Sequence, residues 1–544
     1  MTAPENPPFS EPAKVPPFWH PLRHRIYRNL WLALLIANLG VLVHSVAAGW
    51  LMTQLTSSPL LVSLIQAATA LPIFLFGLPA GALADIVDRR RYLLGIQIWL
   101  VVVSVLLGVL TMTHFASEAT LLALTFALGI GTAMMLPAWA ATVPALAPSD
   151  ELPQAAALSS VGMNSARLIG PAIGGALVML VGSGPTFFVA AFAFCVVGFV
   201  LFRWRYEHEK SALPSERFFG ALRTGFRYAS QSPRRRAALG RSASFVTFAA
   251  APWALLPLIV RTRLNADADV YGVMLALVGL GALIGAFFLP RIRARWSNNT
   301  LVRAATVAYA VVGLAIAWAP NVYAVGTAML IFGSLWISVM SSIQVAAQTY
   351  APSWVKARAL AIFQVVFNGA MALGSVGWGW LATHAGLPAA LSVAAVGALV
   401  AIFFTRRFEL APSDPRTVTP SRHSPAPTVA PEHGDLVEKD PGPVLVTVQY
   451  KVNPLHLEEF RKVMEIVERS RRRGGAFTWG LFEDVEQPGA WIEFFLVESW
   501  VEHLRQHERI TESDRLRSEQ IRGFLVEGAA PLVGHYVAQG ADTA

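Results

Sequence analysis

Charge is scarce in this chain. Only 14% of the 544 residues are Asp, Glu, Lys or Arg, while 54% are hydrophobic, and the mean hydropathy is +0.50. An ordinary soluble domain carries about 25% charged residues, so a soluble enzyme of the usual type is excluded. A disordered chain is excluded by the same apolar excess. Cysteine is nearly absent: Cys195 stands alone, which rules out an intrachain disulfide and a Cys-rich metal site. Acidic residues are missing where they would matter most. Between positions 29 and 203 they are Asp85, Asp88, Glu118, Asp150 and Glu151, and between 241 and 405 only Asp267 and Asp269. None lies inside an apolar run, so a carboxylate deep within a span, the usual proton carrier of pumps and transporters, is lacking. There is no Walker loop, which argues against ATP as the energy source. The Pro-rich start MTAPENPPFSEPAKVPPFWH has no apolar segment and reads as no signal peptide.

Long apolar runs fill the interval from Leu30 to Phe404. A helix that crosses a bilayer needs about 20 apolar residues. On that ruler the sequence predicts twelve spans, near 30–53, 60–84, 92–113, 120–146, 156–180, 184–203, 241–261, 270–290, 301–319, 322–349, 360–382 and 386–405. Basic residues gather on one side of that arrangement. They are Arg23, Arg25 and Arg28, Arg89 to Arg91, the stretch from Arg203 to Arg236, Arg291 to Arg295, Lys356 and Arg358, and Arg406 and Arg407. The other side has Arg261 and Arg263, offset by Asp267 and Asp269. Positive-inside logic therefore predicts a multi-pass membrane protein with both termini cytoplasmic. The net charge of +9, from 43 Lys+Arg and 34 Asp+Glu, is then a topology signal and not a nucleic-acid footprint.

The two halves match at one offset. Gly77, Gly81, Gly129, Asn164, Gly170 and Gly175 return 204 residues later as Gly281, Gly285, Gly333, Asn368, Gly374 and Gly379. Parallel six-span halves with a substrate site between them are a transporter architecture. The expected organisation is an N-terminal tail (1–28), a first half (29–203), a basic connection (204–240), a second half (241–407), a Pro-rich linker (408–441) and a soluble domain (442–544). Part of the connection, Arg217 to Tyr228, reads either as an amphipathic helix on anionic lipid or as a solvated loop.

After the second span the chain reads GALADIVDRRR, from Gly81 through Asp85 to Arg89, Arg90 and Arg91. This resembles the signature loop of the major facilitator superfamily, with Asp88 where Gly is usual. The fifth span carries GPAIGG: Gly170, Pro171, Gly174 and Gly175. It is similar to a motif of the drug–proton antiporters of that superfamily. The likeness is to the branch that holds the enterobactin exporter and the transmembrane secretion effectors. The resemblance implies the all-α, twelve-helix major facilitator fold in two six-helix halves. It also implies that Asp85 latches the halves with its neighbouring arginines, and that the GPAIGG span helps to seal one side. The second half has Leu289 at the Asp85 position and Ser375 at the Pro171 position, so both devices are expected to be one-sided.

Polar residues at membrane depth are functional candidates by default. Asn38 and His44 lie in the first span, Asn164 and Arg167 in the fifth, Gln344 and Gln348 in the tenth, and Gln364 and Asn368 in the eleventh. Arg167 either contacts an anionic or catechol-like substrate or pairs with helix carbonyls or Asp85. If transport is proton-coupled, the titrating group is Asp85 or His44. His44 titrates in the physiological range when unperturbed, but a lone histidine in a span is also an ordinary structural hydrogen-bonder.

Beyond the linker the period changes. Val444–Tyr450, Ala476–Glu483, Trp491–Ser499 and Val533–Val537 read as strands, with helices over Leu455–Arg471 and Trp500–Phe524. That is the β-α-β-β-α-β order of the ferredoxin-like split pattern, an α+β domain. The stretch SWVEHLRQHERIT, Ser499 to Thr511, resembles dimeric α+β barrels of the antibiotic-biosynthesis monooxygenase type. His503 and His507 share a helical face and could hold a metal or haem, but Asp or Glu ligands at fixed positions are not evident; the pair reads as a solvated or barrel-mouth face, and no metal and no cofactor are expected. No catalytic constellation can be assembled. The expected function is export of small molecules (siderophores, drugs or other hydrophobic metabolites) by proton antiport, with dimerisation through 442–544 open. The alternatives are an exporter whose tail is a cofactor-free monooxygenase, and a non-transporting scaffold.

Overall fold

A computed structural model describes residues 19–146, 151–204, 233–349, 356–410, 440–508 and 510–538, with Pro17, Pro148 and Ser421. Among them are twelve helices long and apolar enough to cross a membrane. They are α1 (Arg25–Leu55), α2 (Pro59–Ile86), α3 (Arg89–Met112), α4 (Glu118–Ala145), α5 (Leu152–Val181) and α6 (Ser183–Arg203). The second set is α7 (Pro233–Leu258), α8 (Ala268–Arg293), α9 (Asn298–Trp318), α10 (Val322–Thr349), α11 (Lys356–Ala385) and α12 (Leu387–Thr405). The 204-residue repeat is structural. The bounds of α10 and α11 are those of α4 and α5 moved by 204 positions. Gly182 and Gly386, separated by the same interval, both take a positive φ (86° and 84°) where one helix ends and the next begins. Glycine is the residue that adopts that backbone at no steric cost.

Local chemistry sets the helix ends. Ser58, Asp88 and Ser297 accept the orphan amides of Leu61, Arg91 and Thr300 at the starts of α2, α3 and α9. Asp88 is thus an N-cap, which accounts for an acidic residue at the signature position where glycine is usual. Pro72 and Pro79 sit inside α2, Pro171 inside α5, and Pro252 and Pro257 inside α7. Each removes a backbone donor. After Pro257 the ladder widens into a π turn at Ile259–Arg263, a common accommodation of such a fault.

Each half packs on its own small residues. Gly170 receives Leu42 of α1, and Gly174 receives Val43 and Val46. One repeat later, Gly374 receives Thr247 and Ala250 of α7. Gly281 and Gly285 of α8 lie against the backbone of Leu330 and Ser334, and Gly333 of α10 lies against Val278. A Cβ at Gly281 or Gly333 would overlap a carbonyl oxygen, so this crossing admits only glycine. Aromatic and aliphatic side chains such as Phe192, Phe199, Leu373 and Phe404 cover the outside and remain exposed, as a lipid-facing surface requires.

The segment from residue 440 to 538 builds a four-stranded antiparallel sheet in the order β2-β3-β1-β4. The strands are β1 (Val444–Lys451), β2 (Thr478–Glu483), β3 (Ala490–Val497) and β4 (Leu532–Val537), with helices α13 (Leu457–Arg473), α14 (Trp500–Glu508) and α15 (Glu512–Gly523). Alternate residues of β1 (Val444, Val446, Val448 and Tyr450) turn toward a core with Phe460, Met464, Val467 and Phe495. The second helical stretch is two helices, because Thr511 opens α15 with a capping box to Asp514. The Arg217–Tyr228 segment lies outside the described residues.

Candidate functional site

The two halves meet chiefly along two helix pairs, α2 with α11 and α5 with α8, with α7 also touching α2 and α1. At the α5–α8 crossing Gly175 lies against Gly272, backbone on backbone, and the carbonyls of Pro171 and Arg167 approach Gly272 and Gly279. At the α2–α11 crossing, Gly379, one repeat after Gly175, packs on Leu60 and Ser63. Leu60 N also donates to Thr383 Oγ1 at 3.2 Å. Small residues at both crossings allow close approach without side-chain interlock. Nearer the α1–α2 turn, Trp50 stacks on Tyr271 at 6.1 Å and Arg261 Nη1 donates to Thr53 Oγ1 at 3.4 Å. Further along α2 and α11, Phe74 fits against Gly369, and Gly77 faces Val365 at ordinary contact distance. The GPAIGG stretch therefore serves two contacts: Gly170 and Gly174 face α1 inside the half, and Gly175 faces the other half.

The polar candidates scatter around this seam. Arg167 is exposed on α5 beside the Gly279 crossing. Asn38 and Asn368 donate to the carbonyls of Leu34 and Gln364 one turn earlier, and Gln344 and Gln364 are half-buried. His44 is elsewhere. It is buried between α1, α3 and α6, with Nδ1 3.4 Å from Ser104 Oγ and its ring 4.8 Å from Phe187. Its surroundings belong wholly to the first half. The side chains of Asp85, Asn164 and Gln348 lie outside the described residues.

Of the arginines beside the signature loop, Arg90 caps α6. Its Nε donates to Leu201 O at 3.1 Å, and Nη2 donates to Phe202 O. A cation at a helix C-terminus satisfies carbonyls left without amides. Arg263 caps α9 in the same way through Ile316 O and Ala319 O. Arg90, Arg203, Arg291 and Arg406 all lie over phenylalanine rings at 4.0–5.9 Å at the end of the bundle that carries the α2–α3 turn.

Two groups escape sequence reasoning in the bundle. The first is an aromatic wall in the second half. Trp253 of α7 meets Phe332 and Trp336 of α10 at 5.7 and 5.4 Å, and Trp336 meets Phe367 of α11 at 6.1 Å. Trp253, Trp336 and Phe367 are half-buried. Trp253 lies 79 and 83 positions before Phe332 and Trp336, and Phe367 lies 31 after Trp336, so no local pattern announces the wall as a whole. The second is Glu151 at the start of α5. It is buried and accepts His20 Nδ1 at 2.6 Å and His24 Nε2 at 3.3 Å. Burial alone would raise its pKa, but the bonds from His24 and His20 outweigh that and hold the carboxyl below its usual range. With Tyr27 donating to Ala155 O and Trp31 to Leu158 O, this ties the entry of α1 to α5.

The tail contains a cavity of about 620 Å³ between the sheet and its helices, lined among others by Tyr450, Arg471, His503, His507 and His535. At its side Glu493, fully buried on β3, accepts Arg471 Nε at 2.9 Å, Tyr450 Oη at 2.8 Å and Trp479 Nε1 at 3.0 Å. Burial works against the Glu493 carboxylate, yet Arg471 and these donors keep its pKa low. The Tyr450 hydroxyl is pushed well up, first by burial and then by Glu493. The structure adds one residue to the histidine pair of the tail. The pair His503 and His507 gains His535 as a third imidazole. His535 is 28 residues away on β4, and only the sheet register brings it there.

Comparison with known proteins agrees with the helical bundle. The profile of the transmembrane secretion effector family of major facilitator transporters matches residues 17–543. The chain is 26% identical over 376 residues to an uncharacterized transporter of that superfamily, YfiS, from Bacillus subtilis, covering 66% of this chain and 87% of the relative. It is 25% identical over 393 residues to the multidrug efflux pump Tap of Mycolicibacterium fortuitum, covering 70% and 95%. Among solved structures, a bacterial homolog of the human lysosomal transporter Spinster, inward-facing and occupied, superposes with a TM-score of 0.57 at 15% identity, covering 72% of this chain and 98% of that one. The chain belongs to the transmembrane secretion effector family: it is a multi-pass membrane protein with the major facilitator fold.

Proposed function

We propose that this family member is a secondary active exporter of small, largely apolar molecules, siderophores and drug-like compounds included, working by alternating access. The observation that carries this reading is the seam between the halves. Paired glycines at Gly175 and Gly379 let two helix crossings slide or separate without unpicking side chains, the kind of contact that rocking halves need. The aromatic wall of Trp253, Phe332, Trp336 and Phe367 supplies stacking surface for an apolar or aromatic solute. The scarcity of acidic residues in the spans disfavours a pocket built for strongly cationic drugs.

We assign the driving force to proton antiport, with Asp85 as the titrating residue. His44 is enclosed within the first half, away from the seam, which suits a structural hydrogen-bonder. Asp85 with Arg89 also forms the latch in this reading, while Arg90 holds α6. The common end of Arg90, Arg203, Arg291 and Arg406 is taken as cytoplasmic, in the inner membrane of a bacterium. In the tail, the strand order supports a ferredoxin-like domain. The sheet face of Ile492, Phe494, Leu496 and Leu532 bears no helix among the described residues and fits a second copy of the domain. The test is dye accumulation in everted membrane vesicles under an imposed pH gradient. Accumulation that Asp85→Asn abolishes and His44→Gln spares supports the reading. Accumulation indifferent to the gradient removes the antiport.

A further inference from the structure

The tail holds a cluster that the transport reading does not use. His503 and His507 stand one turn apart on α14, and His535 stands on β4, on the sheet face turned toward the helices. Potential ligand nitrogens of the three rings all lie within 4.8 Å of one another. The ring of His503 is 4.8 Å from each of the other two, centre to centre. Trp500 closes the group at 5.6 Å from His503 and 6.3 Å from His535.

His503 is only 1% exposed, and neither of its ring nitrogens makes a well-formed hydrogen bond; the same holds for Nε2 of His535. One buried and two half-buried neutral imidazoles each offer a donor and an acceptor. If the cluster were only structural, the rings would be expected to bond to each other or to the backbone. Instead His503 presents bare nitrogens to its neighbours, beside an open cavity. A neutral imidazole is also the form that binds metal. Burial, then His507 and His535, bring His503 down to about 3 against a weaker contact with Gln506, and burial lowers His507 and His535 as well.

We propose that His503, His507 and His535 form a binding site for a divalent first-row transition-metal ion, zinc or cobalt in vitro, with its fourth position open to the tail cavity. Zinc–nitrogen bonds of about 2.0–2.1 Å place tetrahedral ligand nitrogens about 3.4 Å apart. Side-chain rotation must close the present spacing, up to 4.8 Å, to that value when the ion binds. Three histidines with an open position form the ligand set of a site that handles a small molecule, whereas purely structural zinc sites are closed by four protein ligands.

The test uses the full chain, purified on a tag without histidines and stripped with a chelator, titrated with Co²⁺ and Zn²⁺. One equivalent per chain is expected, with the visible bands of a four-coordinate Co²⁺ site that Zn²⁺ erases. His503→Gln and His535→Gln are expected to weaken binding at least tenfold, while His456→Gln leaves it unchanged. In the wild-type chain, Zn²⁺ is expected to shield His507 and His535, but not His456, from diethyl pyrocarbonate. This readout needs no variant to fold. Failure of the wild type to take up an equivalent overturns the proposal, as does equal labelling of His535 with and without Zn²⁺. Cobalt bands that persist when His503, His507 and His535 are all replaced by Gln also overturn it.

Discussion

Replacing Glu493 by Leu removes the single acceptor of three side chains. Tyr450 and Trp479 lose their partner, and Arg471 loses its counter-charge while only 29% of its side chain reaches solvent. Breaking a buried pair by deleting one member costs about 3–5 kcal/mol. Part of the Arg471 charge can turn to water, so the lower end, about 3 kcal/mol, applies. Leu packs as well as Glu in that space, so little of the loss is a cavity. At 1.4 kcal/mol per tenfold, protection against amide exchange in β1 and β3 falls about 100-fold. Hydrogen–deuterium exchange of the full chain, read in peptides over residues 444–451 and 490–497, measures this with peptides from α1 to α12 as the internal reference. Glu493→Gln keeps one oxygen acceptor and should lose roughly a third to a half as much. Because the folded Glu493 pKa lies below its unfolded value, its contribution is present above the unfolded pKa and fades as pH falls through the folded one. The wild type should therefore lose protection below about pH 4, and Glu493→Gln should show a flatter acid limb. Protection within a few-fold of wild type in Glu493→Leu would refute the network as a source of stability.

Other substitutions separate packing from mechanism. Gly281→Ala places a methyl on the Leu330 carbonyl, whereas Gly77→Ala, one repeat earlier, meets only Ile73 and Val365 at 3.7 Å. Gly281→Ala should therefore depress the yield of monodisperse protein on size exclusion while Gly77→Ala does not. Glu151→Gln weakens the clamp to His20 and His24. Since the Glu151 pKa is lowered, the clamp should fail in wild type only as pH drops through the carboxylate range, seen as faster exchange in residues 19–31. Trp336→Ala removes the ring shared by Trp253 and Phe367 and should lower dye export severalfold at unchanged expression.

The bundle was legible because its evidence is dense and local. Each span announces itself as a run of apolar residues, and the 204-residue offset marks matching glycines whose packing repeats in space. The role of Asp88 was less plain: it breaks the signature, and only the Arg91 amide at 2.8 Å identifies it as a cap. The missed groups share one physical cause. Glu151 and its two histidines, the aromatic wall, and the pair Arg471–Glu493 are assembled by tertiary packing across 22 to 131 positions. Glu493 sits at an inward position of an alternating strand, where a hydrophobic residue is the rule, and that inconsistency was the available signal. His535 had none, since a histidine in a short strand becomes informative only when the β1–β4 register sets it beside α14.

Gradient-driven export is the claim on which the account rests, and transport in everted membrane vesicles tests it most directly. Vesicles loaded with this chain should accumulate a lipophilic fluorescent dye when the interior is acidified and release it when the gradient is collapsed. Trp336→Ala and Asp85→Asn should each cut the initial rate. Equal dye levels with and without the chain, at matched expression and across a panel of apolar and siderophore-like solutes, would contradict the account.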